Sequence, residues 1–273
     1  MARPHLEFVQ TQNIEWCERP DGTQTKMLSR DAGRTDATMI VRLPAGFCAQ
    51  PRARDDPALE YFVLDGELTV DTLACTRHAY GFIPQGWRGG DISTAAGATV
   101  LLFRHARDSP ATVAASCGAI ALDTSRMPWD TSPPDPGIRH LRLARKVLRL
   151  GPNDSGRTFL LAGLPHGVPD ATHLPTETHH HCEEAFMLQG EMWAPEGRMR
   201  QGSYFFRPPG IVHGPHVSET GFLQIMRSPG SNRVVNQWSA QLRPLPIGAA
   251  YAPVVPEGTP GEWLRPMEDA PRY

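Results

Sequence analysis

Cysteine is scarce in this chain. Five residues, at positions 17, 48, 75, 117 and 182, form an odd set without a C-x-x-C pair. That excludes a disulfide scaffold and a thiolate metal cluster, and it sets the expectation of reduced thiols in a cytoplasmic protein. Long apolar runs are missing too: none approaches the ~20 residues of a spanning helix. The opening Met1-Ala-Arg-Pro-His-Leu6 lacks the apolar core of a signal peptide, so no membrane association is expected. Positive charge is not in excess, with 27 Lys and Arg against 29 Asp and Glu, and it is scattered. Neither nucleic acid nor an anionic lipid surface is therefore an expected partner. A long 3.6-residue period is absent as well; only Ala111 to Ala121 reads as a short helix or a strand.

What the chain does have is punctuation. Its 27 prolines and 25 glycines separate short β-branched and aromatic runs, the pattern of a many-stranded β protein. Such runs are Thr38–Leu43, Tyr61–Leu64, Ala98–Phe103, Thr158–Ala162 and Phe222–Met226. Turn signals bound them at Pro44-Ala-Gly46, Asp65-Gly66, Gln189-Gly190 and Pro209-Gly210. Successive antiparallel strands of this length close into barrels or jelly rolls, which removes their exposed edges.

Two stretches match each other at a constant offset of 124 residues. Glu60, Phe62, Leu64, Gly66, Glu67, Tyr80, Phe82, Pro84 and Gly86 recur as Glu184, Phe186, Leu188, Gly190, Glu191, Tyr204, Phe206, Pro208 and Gly210. Each half also opens alike, Val9-Gln-Thr11 leading to Trp16 and Leu122-Asp-Thr124 leading to Trp129. The fold expected is all-β with two tandem barrels, divided as 1–112, 113–240 and a tail, 241–273. Seven prolines between 244 and 273 make that tail irregular, and Tyr251, Trp263 and Leu264 give it groups with which to dock.

The copies differ where chemistry is possible. Positions 177, 179, 183 and 213 are Glu, His, Glu and His, whereas 53, 55, 59 and 89 are Ala, Asp, Leu and Gly. One carboxylate does not hold a divalent ion, so the first copy reads as scaffold. Its Arg52, Arg54 and Asp56 read as a surface salt-bridge cluster in preference to an anion-binding remnant, and His78 stands where the second copy has Gly202. In the second copy Glu177-Thr-His179-His-His181-Cys-Glu183-Glu184 runs on to Gly190, and Gly202 leads through Pro208 and Gly210 to His213.

These segments resemble the cupin superfamily, whose motifs are G-x5-H-x-H-x3/4-E-x6-G and G-x5-P-x-G-x2-H. The second motif is matched at each defined position. In the first, Glu177 stands in place of the first histidine and Ala171 in place of the opening glycine. Within the superfamily the chain is similar to two-cupin proteins of the ChrR-like and acetylacetone-dioxygenase-like kinds, with the metal motif in the second cupin. Alternation along a strand points 177 and 179 to one face. Metal ligands are therefore expected at Glu177, His179, Glu183 and His213. A second register would use His181 with His179, and Glu184 as the acid. Because Glu60 matches Glu184, the latter suits a structural or proton-moving role. Arg207 and His216, beside the second motif, are candidates for orienting the substrate. Cys182, Trp193, Met187 and Met199 read as bystanders or core.

Nitrogen with hard oxygen donors suits Fe(II), Mn(II) or Zn(II). The arrangement resembles the two-His, one-carboxylate triad of non-haem iron oxygenases. What the resemblance implies is a metal-dependent enzyme for a small polar or dicarbonyl metabolite, by dioxygenase-like cleavage at Fe(II). A Mn(II)- or Zn(II)-dependent hydrolase or lyase of the ureidoglycine aminohydrolase kind is the second implication. A non-catalytic metal- or ligand-binding sensor is the third. A homodimer is implied by the family alone.

Overall fold

The computed structural model describes residues 3–49, 52–106, 119–133, 135–267 and 273. The short element expected at Ala111 to Ala121 lies largely outside the described residues. No helix among them is long and apolar enough to cross a membrane.

Every long element is a strand, and the strands repeat as the sequence does. Leu59–Val70 and Glu183–Ala194 stand 124 residues apart and are both 12 residues long. Leu73–Thr76 answers Gly197–Arg200, and Ala79–Ile83 answers Ser203–Arg207. The glycine that closes the first motif is explained in both copies by the same close approach. Gly66 and Gly190 have φ of +77° and +75°, and a Cβ there would meet a backbone oxygen at 2.3 and 2.2 Å respectively. Only glycine accepts both the conformation and the contact. His78 differs from its counterpart in residue type but not in backbone: it takes φ of +68°, the left-handed conformation that Gly202 takes at +85°.

The chain forms two compact units. One consists of Met1–Arg3, Glu15–Met127 and Gly151–Asn153, the other of Pro4–Ile14, Pro128–Leu150 and Asp154–Tyr273. In the first, a ten-stranded sheet runs through Ile120–Asp123, Ala79–Ile83, Leu59–Val70, Ala98–Arg104, Ala37–Leu43, Gln24–Arg30 and Cys17–Glu18. In the second, a seven-stranded sheet runs in the same order through Leu6–Gln10, Ser203–Arg207, Glu183–Ala194, Phe222–Pro229, Gly156–Gly163 and Leu143–Leu150. The two opening strands are thus exchanged: Leu6–Gln10 pairs in the second unit and Ile120–Asp123 in the first. Boundaries at 112 and 113 do not follow this packing, because the apolar pattern of an opening strand suits either sheet edge. The tail packs on the second unit. Residues up to Pro244 belong to a strand paired with His173–Thr178, Val254 bridges Glu7, and Tyr251 donates to the carbonyl of Phe8.

The interiors differ. That of the first unit is a closed apolar core including Met39, Val41, Tyr61, Val63, Leu68, Ile83 and Val100. Tyr61 fills it: its ring lies where a side chain on Gly81 would be, 2.1 Å from an added Cβ, and its hydroxyl is 3.3 Å from Cys75 Sγ. In the second unit Ala185 and Phe205 occupy the positions of Tyr61 and Gly81, and a cavity remains.

Candidate metal centre

Backbone pairing assembles the cluster. Glu177 and His213 exchange both N–H···O bonds at 3.0 Å, which sets their side chains beside each other. The N–H of Gly210 donates to the carbonyl of His179 at 2.8 Å, tying the turn of the second motif to the first. Glu183 opens its strand opposite Arg207. As a result one donor atom from each of Glu177, His179 and His213 lies within 4.8 Å of the others. Glu183 completes the group, with Oε1 3.6 Å from His179 Nε2 and Oε2 3.5 Å from His213 Nε2. His213 Nε2 is 3.7 Å from Glu177 Oε1.

The histidines are set up as ligands. His179 Nδ1 lies 3.0 Å from the carbonyl of Val235, and His213 Nδ1 lies 3.0 Å from that of Ile211. A ring nitrogen facing a carbonyl must donate, so each Nε2 keeps its lone pair and faces the cluster. Burial and the neighbouring Arg207 charge push His213 down to about 4, which leaves it neutral at physiological pH.

The carboxylates are treated unequally. Glu183 is buried, which opposes ionisation, yet the Arg207 charge and the two histidines hold it far below the usual range. Arg207 Nη1 donates to Glu183 Oε2 at 2.5 Å. On its other side Arg207 donates from Nε to Glu7 Oε2 at 2.6 Å and from Nη2 to Glu7 Oε1. Burial opposes the ionisation of Glu7 as well, but Arg207 lowers it to about 2. Glu177, with no such cation on it, is pushed up to about 8 by burial and by the charge of Glu183. It is a buried carboxyl that ionises readily only against a positive charge. Two imidazole lone pairs, a fixed carboxylate and a second carboxyl in waiting are the donor set of a divalent, oxygen- and nitrogen-liking ion.

The other expected site residues fall in different places. Arg207 lines the cavity and donates to Glu7 and Glu183, which fixes both carboxylates in position. Glu184 points to the opposite strand face, where it accepts from Tyr204 Oη at 2.5 Å and Arg227 Nη1 at 2.8 Å. Glu60 does likewise in the first unit, accepting from Tyr80 Oη at 2.6 Å and lying 2.7 Å from His105 Nε2. His216 lines the cavity, with Nε2 3.4 Å from Arg207 Nη2, and burial with the Arg207 charge lowers it to about 3. His181 stacks on His179 at 5.0 Å, outside the cluster. Cys182, Met187 and Met199 are buried, whereas Trp193 is only half-buried, with Arg198 over its ring. Glu7 was not singled out by the sequence; its one signal is a lone acid in the apolar run Leu6–Gln10.

The cluster opens into a cavity of about 140 Å³. Its walls are mostly apolar, including Leu141, Leu143, Phe159, Leu161, Phe222 and Val234. A fully polar metabolite would leave these surfaces without a partner, so the cavity suits a ligand with an apolar body.

Comparison with known proteins agrees with this architecture. A candidate dioxygenase from Nostoc punctiforme superposes with a TM-score of 0.69 at 21% identity, over 88% of this chain and 92% of that one. A candidate glyoxylate-induced protein from Pseudomonas aeruginosa gives 0.60 at 15% identity, over 83% and 86%. HEPD of Streptomyces albus, with 2-hydroxyethylphosphonate and Fe(II) bound, gives 0.58 at 8% identity, over 83% and 76%. These likenesses are of fold. Comparison with curated protein sequences returns no match. The model of the ChrR cupin-like domain matches twice, over residues 5–108 and 118–230. With most of its length covered by two such matches, the chain belongs to the ChrR cupin-like domain family, as a tandem of two cupins.

Proposed function

We propose that the second unit is an Fe(II)-dependent oxygenase centre, acting on a chelating dicarbonyl-type metabolite in a dioxygenase-like cleavage. The observation that supports this most is the pair of Nε2 lone pairs on His179 and His213, converging with Glu183 at the end of an apolar cavity. These three would hold the metal, with Glu177 as a fourth, exchangeable carboxylate. When bound, a ferrous ion supplies Lewis acidity toward a chelating substrate and one-electron chemistry toward dioxygen.

The chain's own residues do the rest. The N–H groups at Nδ1 of His179 and His213, anchored on backbone carbonyls, keep both rings aimed. Arg207 holds Glu183 ionised and fixed. Glu177, protonated near neutrality when no cation is beside it, would be ionised by a bound cation and as the carboxylate would accept the proton that a chelating enol loses. The apolar walls bind the body of the substrate and keep bulk water from the centre.

Elemental analysis of anaerobically purified protein, beside the double variant His179→Ala/His213→Ala, tests the reading. Near-stoichiometric iron that the variant lacks, followed by oxygen uptake with a diketone, is the expected result. Manganese or zinc would move the chemistry to hydrolysis or lyase action. No metal in either protein would leave a binding barrel.

A further inference from the structure

Among the polar side chains that line the cavity and take no part in the proposed chemistry, Gln224 is the one set among apolar neighbours. Gln224 is 3% exposed and lines the cavity from strand Phe222–Pro229. It sits between Leu161 and Met187 on the neighbouring strands. Its Oε1 is buried without a hydrogen-bond partner, and its Nε2 donates only to the thioether of Met226 at 3.2 Å. A thioether is a weak acceptor, so Oε1 has no partner and Nε2 only a weak one. Buried amides in native interiors are nearly always paired, and an unpaired one calls for a specific reason. The first unit provides the control: Val100 holds the matching position in its closed core, and no polar group is needed there.

Gln224 is also well placed to measure length. It lies three residues along its strand from Arg227, the partner of Glu184, which adjoins the acidic ligand. Three residues at about 3.3 Å each give roughly 10 Å of strand between the metal level and the backbone of Gln224, whose amide leans toward Met226. The walls between them are apolar: Phe159, Ala185, Phe205 and Met226.

Resting on the proposed metal-dependent reading, we infer that Gln224 determines specificity. The ligand chelates through oxygens at the metal, carries an apolar spacer, and ends in an O–H or N–H that donates to Gln224 Oε1. A pocket built around a buried hydrogen-bonding group rejects analogues that lack the matching group, because binding them leaves that group unpaired.

The test uses the ferric form of the iron-loaded full chain, titrated with para-alkylcatechols from butyl to hexyl and with their ω-hydroxy counterparts. The visible catecholate-to-iron band reports binding without turnover. For one spacer length the hydroxyl is expected to tighten binding by about tenfold. In Gln224→Leu that preference should vanish and the plain alkyl series should bind better, with iron content unchanged. Equal binding of the two series to the wild-type protein overturns the inference while leaving the metal reading intact, and this arm needs no variant to fold. No band even with unsubstituted catechol sinks the metal reading, and the inference with it.

Discussion

The two units share strand order and the glycine turns at Gly66 and Gly190, yet among the described residues the first has an apolar core where the second has a cavity. Five inward positions differ in kind. Leu59, Tyr61, Gly81, Ile83 and Val100 in the first unit become Glu183, Ala185, Phe205, Arg207 and Gln224 in the second, and the size change falls at Tyr61. Tyr61 needs Gly81 opposite it, and the pair plugs the barrel. Reversing the sizes, with Ala185 opposite Phe205, moves the bulk to the wall and opens the middle. The framework is carried by residues that both units keep, such as the Glu60–Tyr80 and Glu184–Tyr204 bonds. A barrel of this kind can therefore lose its site while keeping its scaffold, since different residues hold each.

Three changes would break or sharpen the contrast. The largest effect is expected from Arg207→Ile, which puts the first unit's residue into the second. It leaves Glu7 and Glu183 buried without their common cation, and removing one partner of a buried ionic group costs about 3–5 kcal/mol. Denaturant unfolding would measure the loss, and iron content should fall with it; unchanged stability would mean that the guanidinium is not holding the carboxylates. Next comes the double variant Ala185→Tyr/Phe205→Gly, which copies the plug. Repacking of this kind costs about 1–3 kcal/mol. Metal content should stay and catechol binding should disappear; if binding survives, ligands do not use the cavity.

The smallest effect concerns pH in the metal-free protein. Glu177 has a raised folded-state value, about 8 against the usual 4.5. Its contribution to stability is therefore complete below about 4.5 and is lost as the pH rises through 8. The slope cannot exceed about 1.4 kcal/mol per pH unit. Thermal melts of stripped protein across this window should show the decline, and Glu177→Gln should flatten it. Metal should reverse it, since the cation favours the ionised carboxylate.

Much of this was legible in the chain. The offset of 124 residues aligned the strands residue by residue, because glycine turns and inward apolar positions leave a spaced imprint. The two metal motifs marked Glu177, His179, Glu183 and His213, the residues that the structure brings together. The environment of Arg207 was not legible: a basic residue next to a ligand motif reads equally as a substrate clamp or as an anchor, and Glu7, 200 residues away, decides it. Alternation could place Glu183 and Glu184 on opposite faces but not say which face was inward until the register was fixed. The exchange of opening strands left no trace, since Leu6–Gln10 and Ile120–Asp123 offer the same short apolar pattern to either edge.

That exchange sets an order of events during synthesis. Strand Leu6–Gln10 leaves the ribosome well before the edge it pairs with, Ser203–Arg207, which follows almost two hundred residues later. Contacts so distant in sequence are slow to form. Glu15–Met127 can condense while strand Leu6–Gln10 still waits for its edge, exposed to wrong partners. Because that strand carries Glu7, Arg207 meets one of its two carboxylates only across a span of 200 residues.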